Sequence, residues 1–255
     1  MKKIFVFILL IGIVFSVHAQ DAAAIVRASR DRIQANSVST RSRMVITARN
    51  GSTTERLIDQ YSKDGPNGTR AVIVFQQPAN VAGTRFLTMQ TASGSDDRWI
   101  FLPELGRVRR IAASEGSGSF MGTDFSYDDI SAMSRSVDLD THTLLREETL
   151  RGTPCFVIQS VPKDSSFQYS KMIQWIAKDS NIVLQIELYD RRNNLVKTVE
   201  MSGVQNIQGR QTVTVTKITT HAAGTNTVLT NEITRYDESI PEGVFTTRYL
   251  ETGRP

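Results

Sequence analysis

Apolar and polar residues alternate along most of this chain with a period of two, the pattern of strands that keep one face in a core and the other outside it. TVTVTKITT (212–220) shows it most strictly: its threonines face one way, and Val213 and Val215 face the other. Runs of the same texture occupy residues 43–49, 56–61, 71–77, 84–90, 98–103, 143–150, 154–161, 170–177, 182–190, 195–201 and 227–237. Turn chemistry separates them. Asn50-Gly51 is a hairpin dipeptide because both residues tolerate positive φ. KDGPNG (63–68), Lys178-Asp179-Ser180-Asn181, Asn193-Asn194 and Ala223-Gly224-Thr225-Asn226 supply further turns. Short strands at steady intervals predict antiparallel sheet, sandwich or barrel rather than parallel βαβ units.

Two segments change to a helical period. In residues 21–35, Ala22, Ile25, Val26, Ser29 and Ile33 form one stripe, and Asp21 stands where a helix cap belongs. In residues 124–135, Ile130, Met133 and Val137 share a stripe, Thr123 or Asp124 is placed to cap, and Asp128 and Asp129 fall where the helix dipole favours acid. The Gly-rich run GSGSFMG precedes this second segment. A short helical turn is predicted at 241–245. Several middle strands are apolar on both faces: in KMIQWIA, Ile173 and Trp175 share one face while Met172 and Ile176 take the other. Helices covering the sheet would explain that.

The first residues bear on the compartment. Lys2 and Lys3 precede an apolar run to Val17, and Val17-His18-Ala19 has the spacing of a cleavage site. That is the make-up of a secretory signal peptide at 1–19, with a single domain at 20–255. The run is shorter than the roughly 20 residues of a membrane span, so no stable span is expected after cleavage. No cysteine follows it to carry a lipid, and the bacterial periplasm is the expected address. The formal charge of +4 includes the two leader lysines and is too small to imply nucleic acid. Cys155, the one cysteine, lies in the apolar run CFVI and is read as a buried structural thiol.

Candidate chemistry is sparse. GSGSFMG is no phosphate-binding P-loop, since no lysine lies between Arg110 and Lys163, and no βαβ unit supports a dinucleotide site. His142 and His221 stand in Thr-rich strands, without metal-ligand spacing or a nucleophile elbow. Neither metal nor cofactor nor enzymatic activity is expected. Arg107, Arg109 and Arg110 have two readings: contact with lipid phosphates or an acidic partner, or a solvated strand edge where charge discourages aggregation. Phe120 and Met121 stand among glycines, either as an adaptable apolar contact or as hydrophobes folded into the core. Trp99, Phe101 and Trp175 are read as core or cavity wall.

The blocks FQQPANVAGTRFL, DDRWIFLPELGRVRRI and SGSFMGTDFSYDDI, spanning residues 75–130, resemble the bacterial outer-membrane lipoprotein-sorting proteins, which are distantly similar to the periplasmic lipoprotein carrier LolA. The resemblance implies a mainly β fold: an incomplete, strongly curved antiparallel β-barrel of about 10–12 strands, with helices covering an apolar cavity. It implies a periplasmic carrier for the acyl chains of lipoproteins or a phospholipid, delivering towards the outer membrane. An inner-membrane transporter and an outer-membrane receptor are its implied partners. The alternative is an accessory protein that binds an envelope transporter or another protein. Cavity or lid residues are then sought among Val72, Val74, Phe86, Trp99, Phe101, Phe120, Met121, Phe125, Ile130, Met133 and Trp175, and headgroup or partner contacts at Arg107, Arg109 and Arg110.

Overall fold

The structure, a computed structural model, describes residues 21–91, 96–132 and 135–255. The expected signal peptide and Met133 lie outside the described residues. A short helix, α1 (Ala22–Arg30), leads into β1 (Ser37–Thr47), β2 (Thr53–Gly65), β3 (Gly68–Gln77), β4 (Arg85–Gln90), β5 (Asp96–Leu102) and β6 (Arg107–Arg110). After α2 (Tyr127–Ala132) come β7 (Asp140–Leu150), β8 (Thr153–Pro162), β9 (Lys171–Ala177), β10 (Val183–Tyr189), β11 (Leu195–Ile207), β12 (Arg210–Thr220) and β13 (Thr225–Tyr236). A 3-10 turn over Glu242–Phe245 and α3 (Thr247–Thr252) end the chain. Each strand read from the alternation is present, and β6 is the additional one.

All of them form one strongly curved, unclosed antiparallel sheet in the order β6-β5-β4-β3-β2-β1-β13-β12-β11-β10-β9-β8-β7. Every neighbour in that order is a neighbour in sequence except β1 and β13, which pair in the middle. The two halves of the chain therefore spread outwards from the centre, and the free edges are β6 and β7. Residues 111–139 connect those edges, so they have to travel from one rim of the open barrel to the other. That connection carries α2. The cover over the concave face is a consequence of strand order, not an appended element.

The concave face collects Met44, Ile58, Ile73, Phe75, Phe86 and Ile100 from β1 to β5, and Met172, Leu188, Val199 and Ile218 from β9 to β12. Phe120 and Phe125 of the connecting segment join this same cluster. α1 is capped as its sequence predicts: the Asp21 carboxylate accepts the Ala23 N–H at 3.0 Å. Its stripe Ala22, Ile25 and Val26 packs on Phe156, Ile158 and Ile176 of β8 and β9. Burial of side chains the size of Ile25 and Val26 contributes about 1.5–3 kcal/mol each. The helix ends at Arg30, earlier than the predicted residue 35, and Ile33 falls in the following loop.

α2 is also shorter than predicted. Its cap is Ser126: Ser126 Oγ accepts the Asp129 N–H at 3.1 Å, and the Asp129 carboxylate accepts the Ser126 N–H at 2.8 Å. That reciprocal pair is a capping box. Thr123 and Asp124, read as possible caps, are held in the preceding loop by other bonds.

The convex face explains why β3 and β4 are apolar on both sides. Val72, Val74 and Leu87 pack there against Ile240, Val244, Phe245 and Leu250 of the C-terminal segment, flanked by Trp99 and Phe101. Glu242 ties that segment to the sheet through Lys63 at 2.5 Å and Arg70 at 2.8 Å.

Candidate functional site

The connecting segment is fastened to the sheet at widely separated points. At the centre, Asp124 accepts the hydroxyls of Thr225 at 2.5 Å and Thr227 at 2.7 Å, both on β13. Towards one wall, Asp128 meets Arg98 of β5 at 2.7 Å. Towards the other, Asp129 meets Lys197 of β11 at 2.6 Å and accepts the Tyr169 hydroxyl at 2.7 Å. Burial and the neighbouring Asp129 carboxylate push the Tyr169 phenol far above its ordinary value, so it remains a proton donor. Asp128 and Asp129 diverge on the helix and reach opposite halves of the sheet.

Ahead of α2, Phe120 is fully buried in an aromatic cluster, with ring centroids 5.7 Å from Phe75, 5.0 Å from Phe86 and 5.7 Å from Tyr127. Of the two readings of Phe120, the core reading is the one its position matches. Met121 is half-buried with φ 51°, and its carbonyl accepts the Arg56 guanidinium at 2.6 Å. The glycines here serve close packing. A Cβ on Gly116 would collide with the Asp128 carboxylate, and Gly122 has φ 74°.

Under this cover lies an apolar cavity of about 370 Å³. Met172 of β9, Ile186 and Leu188 of β10, Val199 and Met201 of β11, and Ile218 of β12 make its floor. Phe125, Phe167 and Ala132 make its roof. Ser29, Tyr169, Gln174 and Thr216 are the uncharged polar groups on its wall, and Asp129, already paired with Lys197, is the acid. At the side facing the end of α1 stand Arg30 and Arg32. A second cavity of about 320 Å³ lies against β1 to β4, lined by Ala71, Ile73, Phe86, Thr88 and Ile130 among others. Ile33 borders both and stands between them.

The sequence-derived candidates divide by face. Phe125 borders the larger cavity, and Phe86 and Ile130 border the smaller one. Val72, Val74, Trp99 and Phe101 lie on the convex face under the C-terminal segment, so they are not on the cavity wall. Trp175 also faces outwards, packed with Cys155 and Val157, its indole N–H donating to Glu148. The reason is common to all five. Alternation identifies two faces but carries no label for which is concave, and both faces here are covered. Met172, Ile186, Leu188, Val199 and Met201, which do line the larger cavity, carry no motif that sets them apart from other apolar strand residues. For Met172 the available signal is its phase in β9, opposite to Trp175.

Arg107, Arg109 and Arg110 are exposed on the edge strand β6; Arg109 pairs with Glu115 at 2.5 Å and Arg110 pairs with Asp97. They lie away from the residues lining either cavity. Among the described residues no cluster of three or more His, Cys, Asp or Glu is arranged to hold a metal. No helix among them is long and apolar enough to cross a membrane.

Comparison with known proteins agrees with this architecture. A family model described as an uncharacterized protein matches residues 67–252. No curated protein matches the chain. The crystal structure of an outer membrane lipoprotein-sorting protein domain from Vibrio parahaemolyticus is similar at 28% identity and TM-score 0.85, covering 91% of this chain and 99% of that one. A DUF1329 family protein from Desulfovibrio piger is similar at 30% identity and TM-score 0.86, covering 91% of this chain and 98% of that one. A LolA superfamily protein from Nitrosomonas europaea shares the fold at 21% identity and TM-score 0.72, covering 90% of this chain and 99% of that one. A curved half-barrel roofed by its own edge-to-edge connection, matched over nine-tenths of its length at this identity, makes the chain a member of the DUF1329 family, with the fold of the LolA superfamily.

Proposed function

We propose that this protein is a periplasmic carrier that takes the acyl chains of a lipoprotein or another envelope lipid into its concave apolar cavity and delivers them towards the outer membrane. The observation that supports this is the cavity of about 370 Å³ between β9–β12 and the roof residues Phe125 and Phe167. Carrying an acyl chain through water means hiding it, since each exposed methylene costs about 0.8 kcal/mol. A flat surface leaves one side of the chain wet, whereas a concave floor with a roof does not. The lipoprotein-sorting relative gives the same direction of reading.

In this reading, Phe125, Met172, Ile186, Leu188, Val199 and Met201 touch the chain, and Phe86 and Ile130 offer further room beyond Ile33. The fastenings at Asp124, Asp128 and Asp129 hold the roof in place and have to loosen to admit cargo. In this reading loading is driven by the relative affinity of donor and carrier, or by a transporter that engages it.

The test is extraction from vesicles. The purified chain is mixed with vesicles that carry either a pyrene-labelled neutral lipid or a triacylated lipopeptide, then separated by gel filtration. Label migrating with the protein in near-stoichiometric amount is the expected result. Protein free of both labels, but retaining a protein partner in crosslinking, would replace the carrier reading with that of an accessory protein.

A further inference from the structure

The two cavities differ in chemistry. The floor of the larger is apolar from Met172 to Ile218. The smaller has Ile73, Phe86 and Ile130 on its wall, but Gln60 and Ser62 of β2 and Thr88 of β4 line it as well. Thr88 follows Phe86 by two residues, so both point to the concave face. Thr88 is 8% exposed, and among the described residues its hydroxyl has no hydrogen-bond partner. The half-buried Gln60 amide and Ser62 hydroxyl have none either. A buried hydroxyl is normally paired, and Thr88 is turned towards a space where a ligand group can reach it.

These three groups are uncharged, and each can donate as well as accept. The charged residues around them are engaged elsewhere. Lys63 directs its ammonium to Glu242, on the other side of the sheet. Asp64, at the exposed rim, accepts the Thr69 hydroxyl at 3.4 Å. Arg98, across from Thr88 on β5, is paired with Asp128 at 2.7 Å. A charged head brought here from water would exchange its hydration for neutral partners, at a cost. Hydroxyls and amides would exchange one set of neutral hydrogen bonds for another.

Ile33 is the residue that the two cavities share. The backbone on either side of it is held: Arg32 donates to the Gln211 carbonyl at 2.6 Å, and Arg210 donates to the Gln34 carbonyl at 2.8 Å. The Ile33 side chain is half-buried and belongs to none of the apolar clusters of the described residues. A change of rotamer there opens a passage without unpacking a core. A methylene is similar in bulk to a water molecule, whose share of liquid volume is about 30 Å³, so the larger cavity of about 370 Å³ holds on the order of a dozen methylenes. That is room for one chain, with about 320 Å³ beyond Ile33 for its head.

We propose that the two cavities form one bipartite site, joined at Ile33, for a single-chain amphiphile whose head is uncharged and rich in hydroxyl or amide groups. The chain lies on the apolar floor, and the head reaches Gln60, Ser62 and Thr88. This rests on the carrier reading above and specifies its ligand.

The test compares five ligands of equal chain length by calorimetry, each below its aggregation concentration: 1-monodecanoylglycerol, N-decanoylglycinamide, methyl decanoate, decanoate and decyltrimethylammonium. The glycerol ester and the amide are expected to bind at least about tenfold more tightly than the methyl ester, which has no donor, since each neutral hydrogen bond is worth about fivefold. Both charged ligands should bind more weakly than either. Whichever neutral head binds more tightly identifies hydroxyl or amide. Thr88→Val keeps the shape of the side chain and removes its hydroxyl; it should weaken the tighter neutral ligand about fivefold and leave the methyl ester unchanged. Gln60→Leu should act in the same way. Ile33→Trp should fill the passage and abolish the preference for the neutral heads, with the methyl ester still bound. A methyl ester or a charged ligand that binds as tightly as the two neutral heads would overturn the polar subsite and leave the carrier reading standing. So would a preference untouched by Thr88→Val and Gln60→Leu. Binding of none of the five would remove both. Should a variant fail to fold, the ranking of the five ligands on the unaltered protein still decides.

Discussion

Lys197 on β11 places its ammonium 2.6 Å from Asp129 on the roof helix, and both side chains are largely buried. The pair joins the cover to one wall of the half-barrel. Lys197→Met leaves the carboxylate without its cation, with the neutral Tyr169 hydroxyl, Gln168 amide and Ser126 N–H against it. Breaking a buried pair from one side is expected to cost about 3–5 kcal/mol, read as a shift in the urea midpoint. The exposed Arg27–Asp138 pair, broken by Arg27→Ala, should cost no more than about 1 kcal/mol. Equal effects would mean that the roof is not held by Lys197.

Filling the cavity should separate stability from binding. Ile186 borders the open space, so Ile186→Trp projects into room that already exists. In a filled core such an enlargement costs about 1–3 kcal/mol; here less than about 1 kcal/mol is expected. Uptake of a long-chain probe should nevertheless fall steeply. A strong loss of stability with uptake unchanged would show that the chain lies elsewhere.

Phe120 and Leu250 are both fully buried but on opposite faces of the sheet. Leu250→Ala is expected to cost about 2–5 kcal/mol and Phe120→Ala about 3–5 kcal/mol. Ligand affinity of the folded Leu250→Ala protein should be unchanged, because the C-terminal segment covers the convex face only. Altered affinity in that variant would contradict the assignment of faces.

Alkaline pH offers a separate check. The Tyr169 phenol is raised in the folded protein by burial and by Asp129, and Tyr189 is pushed up to about 12 by burial and Glu187. A phenol raised on folding contributes stability that is complete below its unfolded value near 10 and is lost as pH climbs beyond it. The melting temperature should therefore decline above about pH 10, and Tyr169→Phe should flatten the decline.

Cys155 is buried beside Val157 and Trp175, and burial raises its thiol. Native protein should resist a thiol reagent at neutral pH and react fully once unfolded in guanidinium. Rapid native modification would place Cys155 on an opened edge.

How much of this was legible beforehand follows from what each pattern encodes. Alternation is local, and each run of it became a strand, because the strands pair mostly with their sequence neighbours and turns such as Asn193, with φ 64°, are written in residue type. The Asp21 cap was legible for the same reason. The bounds of α2 were not, since Asp124 is drawn away from capping by Thr225 and Thr227, about a hundred positions later.

The sequence by itself determined strands, turns, most of the cover and the existence of two apolar faces, because these depend on residues a few positions apart. Only the tertiary structure decided which face is hollow. Joining β1 to β13 puts β6 and β7 at the rims and sends their connection across one side, while the C-terminal segment closes over the other. Val72 and Ile73 are adjacent and equally apolar, yet one is packed under that segment and the other borders a cavity. No local property distinguishes them; the direction in which the sheet curves does.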